Sequence, residues 1–220
     1  MAVVFAQRVL TRAKAAAGRA IERHYEIETS EPVDAETLGH VRKEYVYYQA
    51  SDWLLLPVAL GGLGLGREDV FADIGCGKGR VVLQAAVGYP FSRVIGVERS
   101  PVLAAEARSN LARLGAGRRK RAGQVAIEEA DVLGWTVPDD LTVAYLYNPF
   151  RGDVFAAALE RLIASYDRRP RRMRIVYAAP LEHEQVVATG RCRELPARCG
   201  RLLRHVGFDA TSFRRYEICP

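Results

Sequence analysis

The stretch "VFADIGCGKGRVVLQAA", Val70 to Ala86, decides the fold. An apolar run carries one acid, Asp73, and then places Gly75, Gly77 and Gly79 at alternate positions. "VFADI" reads as a buried strand and "GRVVLQAAVGY" as a helix. A tight strand-to-helix turn needs positive φ and close approach of backbone to a ligand, and glycine supplies both. The free N–H groups at the next helix start favour an anion. The G-x-x-x-x-G-K-[ST] phosphate pattern fails, because Lys78 is followed by Gly79 and Arg80. The dinucleotide pattern G-x-G-x-x-G fails as well, since Arg80 stands where its third glycine belongs. An acid inside the turn repels phosphate and pairs with an ammonium. A nucleotide ligand without a pyrophosphate is therefore the better fit.

Downstream, strands alternate with helices. "RVIGVE", "QVAIEEA", "LTVAYLYN" and "RMRIVYAA" read as strands two to five, and "CRELP" and "SFRRYEIC" as two late ones. "SPVLAAEARSNLARLG" is a helix with Ser100 as N-cap and Gly115 as C-cap, and "RGDVFAAALERLIASY" is another. A short helix follows Pro180. This alternation predicts an α/β fold: a doubly wound, mainly parallel, Rossmann-like seven-stranded sheet. Upstream, Val3, Ala6, Leu10, Ala13, Ala17, Ile21 and Tyr25 form one helical stripe, with Pro32 as the expected stop. "AETLGHVRKEYVYYQ" and "SDWLLLPVAL" read as two further helices. The expected division is an N-terminal helical extension or lid at 1–66 and a sheet domain at 67–220.

Ligands of such sheets bind beyond the carboxyl ends of the strands. Asp73, Glu98, Asp131 and Asn148 each fall at or just past one of the first four strand ends. They are expected to converge on one crevice.

These residues carry a family resemblance. D-x-G-x-G-x-G at 73–79 resembles the first motif of class I S-adenosylmethionine-dependent methyltransferases. Glu98, closing "VIGVE", resembles their ribose-holding acid, and Asp131 with Val132 resembles their adenine-holding pair. "YLYNPF" resembles their fourth motif, at the substrate mouth. The four motifs span Phe71 to Phe150. The first is also similar to that of the non-SET histone lysine methyltransferases, and "YQAS", Tyr48 to Ser51, stands where that class touches its cofactor. The resemblance implies S-adenosylmethionine as cofactor, held by Tyr48, Ser51, Asp73, Gly75, Gly77, Glu98, Asp131, Val132 and Asn148. It also gives Asn148 a catalytic part: a carbonyl oxygen there accepts an amine hydrogen and aims the lone pair, while Phe150 packs on the acceptor. The plainer reading of Asn148-Pro149-Phe150 is a strand-ending turn, and both stay open.

The net charge is +6, and the basic residues are nearly all arginine. The clusters at 118–121 and 168–174 fall at the amino ends of strands three and five, opposite the crevice. Lys78 and Arg80 are expected in solvent. Tyr145 and Tyr147 are read as core or pocket wall, and Tyr45, Tyr47, Tyr48 and Trp53 as the lid. No histidine falls on a motif. Cys76, Cys192, Cys199 and Cys219 have no C-x-x-C spacing, so neither zinc nor a disulfide framework is expected. No apolar run approaches the roughly 20 residues of a membrane span. The expectation is a cytoplasmic enzyme methylating a small molecule or a protein, with no membrane or metal partner, its first helix suited to a homodimer. A nucleic-acid methyltransferase, a basic nucleic-acid-binding module and a nicotinamide-dependent oxidoreductase are the alternatives.

Overall fold

The computed structural model describes residues 2–33, 38, 44–45, 48–117, 120–196 and 212–220. Their elements run α1 (Ala2–Tyr25), α2 (Leu55–Leu60), β1 (Val70–Ile74), α3 (Arg80–Gly88), β2 (Arg93–Glu98), α4 (Pro101–Gly117), β3 (Gln124–Glu129), β4 (Val143–Tyr147), α5 (Gly152–Arg168), β5 (Arg174–Ala178), α6 (His183–Ala188), β6 (Cys192–Leu195) and β7 (Phe213–Ile218). The strands form one seven-stranded sheet in the order β3-β2-β1-β4-β5-β7-β6. β7 runs antiparallel to both β5 and β6, and the other pairings are parallel. The order reverses between β1 and β4, which places the switch point beside the glycine turn.

Side chains alternate across the sheet and divide the core in two. Ala72, Ile74, Ile95, Leu146, Ile175 and Tyr177 face α5, which buries Val154, Phe155, Leu159 and Leu162 against them. Phe71, Val94, Val143, Tyr145 and Val176 face the other way, onto Leu56 of α2 and Val82 and Ala85 of α3. Phe71 stacks on Phe91 with centroids 5.3 Å apart. Tyr145 is therefore core, and Tyr147 is half-buried at the cavity wall.

Several local readings change. α1 ends at Tyr25, seven residues before Pro32, where Glu26 takes a left-handed φ of 55° and the Ile27 N–H bonds the Glu22 carbonyl at 3.0 Å. α4 continues past Gly115 to Gly117. In the expected 35–49 helix most positions, Tyr47 among them, lie outside the described residues. Tyr45 and Tyr48 there form antiparallel bridges, to Phe150 and Val33 respectively. Tertiary pairing has overridden the local helical pattern.

Lys78 and Arg80 are buried rather than solvated. Arg80 donates to Thr29 Oγ1 at 2.8 Å, Ser51 O at 2.5 Å, Glu22 Oε1 at 2.9 Å and Ser30 Oγ at 2.8 Å. Its guanidinium also lies 4.9 Å over the Trp53 ring. Lys78 Nζ pairs with Glu28 at 2.8 Å and Glu106 at 3.0 Å. Asn110 of α4 donates to the Glu28 and Lys78 carbonyls. The segment after α1 is thus stitched onto the first turn of α3 by the paired charges of Lys78 and Arg80.

The arginines opposite the crevice are structural as well. Arg168 pairs with Asp139, Arg172 with Glu217 and Arg191 with Asp167. Arg171 donates to the Leu141 and Ser165 carbonyls. In the 118–121 cluster, positions 118–119 lie outside the described residues, and Arg121 donates to Gly88 O. No described helix is long and apolar enough to cross a membrane.

Removing one partner of a buried pair strands the other charge. Glu22→Ala is expected to destabilise the protein by about 3–5 kcal/mol. Arg80→Met added to it is expected to cost less than the sum of the single changes. Urea unfolding of the double-mutant cycle measures both.

Candidate functional site

β1 delivers Asp73 to the end of the sheet and is followed at once by the glycine turn. Gly75, Gly77 and Gly79 have φ of 81°, 55° and 84°, the left-handed region. The Gly75 and Cys76 N–H groups both donate to Val97 O, at 2.8 and 3.0 Å, tying the turn to β2. Two glycines have a further reason to be glycine. A Cβ on Gly75 would stand 2.4 Å from Pro149 Cβ, and one on Gly77 would stand 2.2 Å from Tyr48 Cε2. The turn is squeezed between the proline of the β4 turn and the Tyr48 ring.

Around it lies a cavity of about 180 Å³. Asp73, Gly75, Gly77, Glu98, Val132 and Asn148 line it, and so do Tyr48 and Ser51. Tyr45, Arg99, Leu103, Tyr147, Pro149 and Phe150 are also part of the wall. The strand-end residues therefore do meet, with one qualification of place. Asp131 sits at the rim, where its neighbours Ala130 and Val132 line the cavity instead.

Asp73 is fully buried, and no described residue hydrogen-bonds its carboxylate. Gly79, not Asp73, occupies the N-cap position of α3. Burial pushes the Asp73 carboxyl well above the usual carboxylate range, and the Glu98 charge adds to the push. Glu98 is raised too, by burial, although the backbone N–H groups of Ser100, Gly77 and Arg99 and the Arg99 charge offset part of it. Its Oε2 accepts from Gly77 N at 2.9 Å and its Oε1 from Ser100 N at 2.8 Å. Each oxygen keeps a lone pair for a ligand hydroxyl.

Asp131 accepts the Tyr45 hydroxyl at 2.9 and 2.8 Å, the Leu133 N–H at 2.9 Å and Arg99 Nε at 3.2 Å. The Arg99 guanidinium also covers the Tyr45 ring at 4.6 Å. Tyr48 turns its hydroxyl away from the cavity, donating to Thr29 O at 2.6 Å, and offers its ring to the turn. Ser51 Oγ is buried without a partner among the described residues. Trp53 does not line this cavity. It sits beneath Arg80 and walls a separate apolar cavity of about 420 Å³ with Ile21, Leu56, Leu83 and Leu114.

Asn148 has a left-handed φ of 44°, and its Oδ1 lies 3.5 Å from the Tyr177 hydroxyl. Sequence reasoning missed Tyr177 and Arg99. Arg99 had a signal, since it directly follows the strand-end acid. Tyr177 had none beyond its alternation with Ile175 on β5.

These residues suit a nucleoside that carries a cationic group. The close-packed turn admits a flat or thin moiety against backbone, Glu98 can take hydroxyls, and Asp73 can take an ammonium.

The comparisons agree with this geometry. A family model described as a methyltransferase domain matches residues 71–167. No curated protein sequence matches the chain. Among solved structures, an RNA methyltransferase from Salinibacter ruber in complex with S-adenosylhomocysteine is 19% identical over 77% of this chain and 94% of that one, with a TM-score of 0.52. A precorrin-6y C5,15-methyltransferase from Geobacter metallireducens is 19% identical over 88% and 100%, also at 0.52. The N-methyltransferase NodS from Bradyrhizobium japonicum, with S-adenosylhomocysteine, is 15% identical over 75% and 84%, at 0.50. At these identities the structural likeness is one of fold.

A carboxyl whose folded pKa is raised stabilises the protein least once it is ionised. The wild type therefore loses stability as pH climbs from about 4 towards the raised folded value. Asp73→Asn is expected to raise the neutral-pH melting temperature by about 2–6 °C, for a gain of about 1–2 kcal/mol. The gap between variant and wild type is expected to narrow as pH falls. Thermal melts across that range measure it.

Proposed function

Because residues 71–167 form a class I S-adenosylmethionine-dependent methyltransferase domain, we propose that the chain moves a methyl group to a nitrogen or oxygen nucleophile on a small molecule or a protein side chain. The observation that carries this reading is the meeting of two buried carboxylates, Asp73 and Glu98, at one glycine turn too tight for side chains. When bound, S-adenosylmethionine supplies an electrophilic methyl group on a sulfonium that is its own leaving group. The protein's work is then to bind, align and exclude water, and alignment of this kind supplies roughly 7–11 kcal/mol.

Each residue has a part in that work. Asp73 pairs with the ammonium of the amino-acid tail. Glu98 receives the ribose hydroxyls, held in place by Gly77 N–H and Ser100 N–H. Val132 would lie against the adenine, and Asp131 holds Tyr45 and Arg99 at that end of the cavity. Tyr48 and Ser51 close the near wall, fixed by Thr29 and Arg80. Asn148, Pro149 and Phe150 form the mouth at which the acceptor enters.

The internal pairing of Arg168, Arg172 and Arg191 supports a small-molecule or protein acceptor over a nucleic acid. A phosphate-binding surface needs arginines with donors to spare.

Calorimetric titration with S-adenosylhomocysteine tests the assignment. The wild type is expected to bind. Asp73→Ala and Glu98→Ala are expected to lose at least about a hundredfold in affinity, the scale of a lost buried charged hydrogen bond. Circular dichroism is expected to be unchanged. Undiminished affinity in either variant rejects its role.

A further inference from the structure

The carboxylate just past β3 is already spent, and that decides how a base is held beside it. The step rests on the cofactor reading proposed above. β3, β2 and β1 are adjacent, so their ends stand about 4.8 Å apart in a row. They present Ala130, Glu98 and Asp73 in turn, and the Ala130 N–H donates to Glu98 O at 2.9 Å. A nucleoside with an amino-acid tail has the same linear order of base, ribose and ammonium. With the ammonium at Asp73 and the hydroxyls at Glu98, the base falls at Ala130 and Val132, both of which line the cavity.

Asp131 stands between those two residues in sequence, yet it is not among the described residues that line the cavity. Its side chain is 38% exposed. A carboxylate has about four lone-pair sites. Here Oδ1 accepts the Leu133 N–H at 2.9 Å and the Tyr45 hydroxyl at 2.9 Å. Oδ2 accepts the same hydroxyl at 2.8 Å and meets Arg99 Nε at 3.2 Å. Each oxygen thus has two partners. The amino group of a base would have to displace one of them.

The two side chains that Asp131 holds do line the cavity. The Arg99 guanidinium lies 4.6 Å over the Tyr45 ring, so the pair forms one stack. Tyr45 is fixed at both ends. Its backbone pairs with Phe150 while its hydroxyl is on Asp131, and the preceding Glu44 O accepts the Arg151 N–H at 2.7 Å. Tyr45 also packs on the core cluster that holds Val132 and Phe150. A flat surface whose position is already set loses little freedom when a ligand lies on it. Stacking asks of a base only its π-face, not a pattern of donors and acceptors along its edge.

We propose that the Tyr45–Arg99 stack holds the cofactor's base by its face, and that Asp131 sets the stack in place and leaves the 6-amino group unread. Asp131 is a positioning residue here, because it acts through Tyr45 and Arg99. The ligand class that follows is a purine nucleoside thioether with no donor required at C6. A site that took the amino group on a carboxylate would instead reject a purine lacking it.

Calorimetric titration compares S-adenosylhomocysteine with its 6-deamino analogue, in which hydrogen replaces the amino group and the ring nitrogens remain. Wild-type protein is expected to bind the two within about fivefold of each other, a smaller gap than a lost hydrogen bond to a carboxylate opens. Tyr45→Ala is expected to weaken both by about tenfold or more, the scale of one lost stacking contact. Tyr45→Phe keeps the ring without its hydroxyl, and its affinity is expected to fall between. In protein carrying isotope-labelled tyrosine, the Tyr45 ring resonances, assigned by their loss in Tyr45→Phe, are expected to move upfield with either ligand. They are expected to move less in Asp131→Asn, a change that a merely structural Asp131 would not produce. A wider gap between the two ligands overturns the proposal, and so does a folded Tyr45→Ala that binds as wild type does, or a Tyr45 resonance that stays in place. The ligand comparison needs no variant, so misfolding of Tyr45→Ala leaves it decisive. No binding of either ligand by the wild type overturns the cofactor reading instead, so the two failures are distinct.

Discussion

Between Pro149 and the Tyr48 ring the backbone of Gly75–Gly77 has no room for a single added carbon. Three constraints meet in that gap. The left-handed φ values make the chain reverse there, the N–H groups of Gly75 and Cys76 are held on Val97 O, and the Gly77 N–H orients Glu98. The turn therefore does not simply connect β1 to α3. It sets the position of the strand-end carboxylate on β2 and the proline of the β4 turn at the same time. The switch point in the sheet order is what brings those three strand ends side by side.

The cost of this arrangement lies in Asp73 and Glu98, two carboxyls removed from water within one cavity. Burial raises both, and the Glu98 charge raises Asp73 further. A site built for a cation is destabilising until the cation arrives. The surroundings offset part of that strain. Arg80 and Lys78, at the opposite side of the turn, are paired with Glu22, Thr29, Ser30, Glu28 and Glu106. The segment that follows α1 thereby becomes a fixed wall behind Tyr48 and Ser51.

The sheet was legible because buried parallel strands write continuous apolar runs, and each run here ends in a residue of distinct chemistry. Asp73, Glu98 and the glycines could be placed from order and spacing alone. Other features depend on contacts distant in sequence. Lys78 and Arg80 look like solvated helix-start residues until Glu22 and Glu28 are brought against them, some fifty residues away. Tyr45 and Tyr48 lie in a helical pattern, yet pair with Phe150 and Val33. Asn148 Oδ1 meets the Tyr177 hydroxyl across β4 and β5, a contact that no local pattern encodes.

The central claim is that the buried Asp73, whose carboxyl is pushed up by burial, receives the cofactor's ammonium. Calorimetric titration of S-adenosylhomocysteine near neutral pH, repeated in buffers of different ionisation enthalpy, tests it most directly. The account predicts that binding releases protons to the buffer and that Asp73→Asn abolishes the release together with most of the affinity. Equal binding by both proteins with no proton exchange would contradict it.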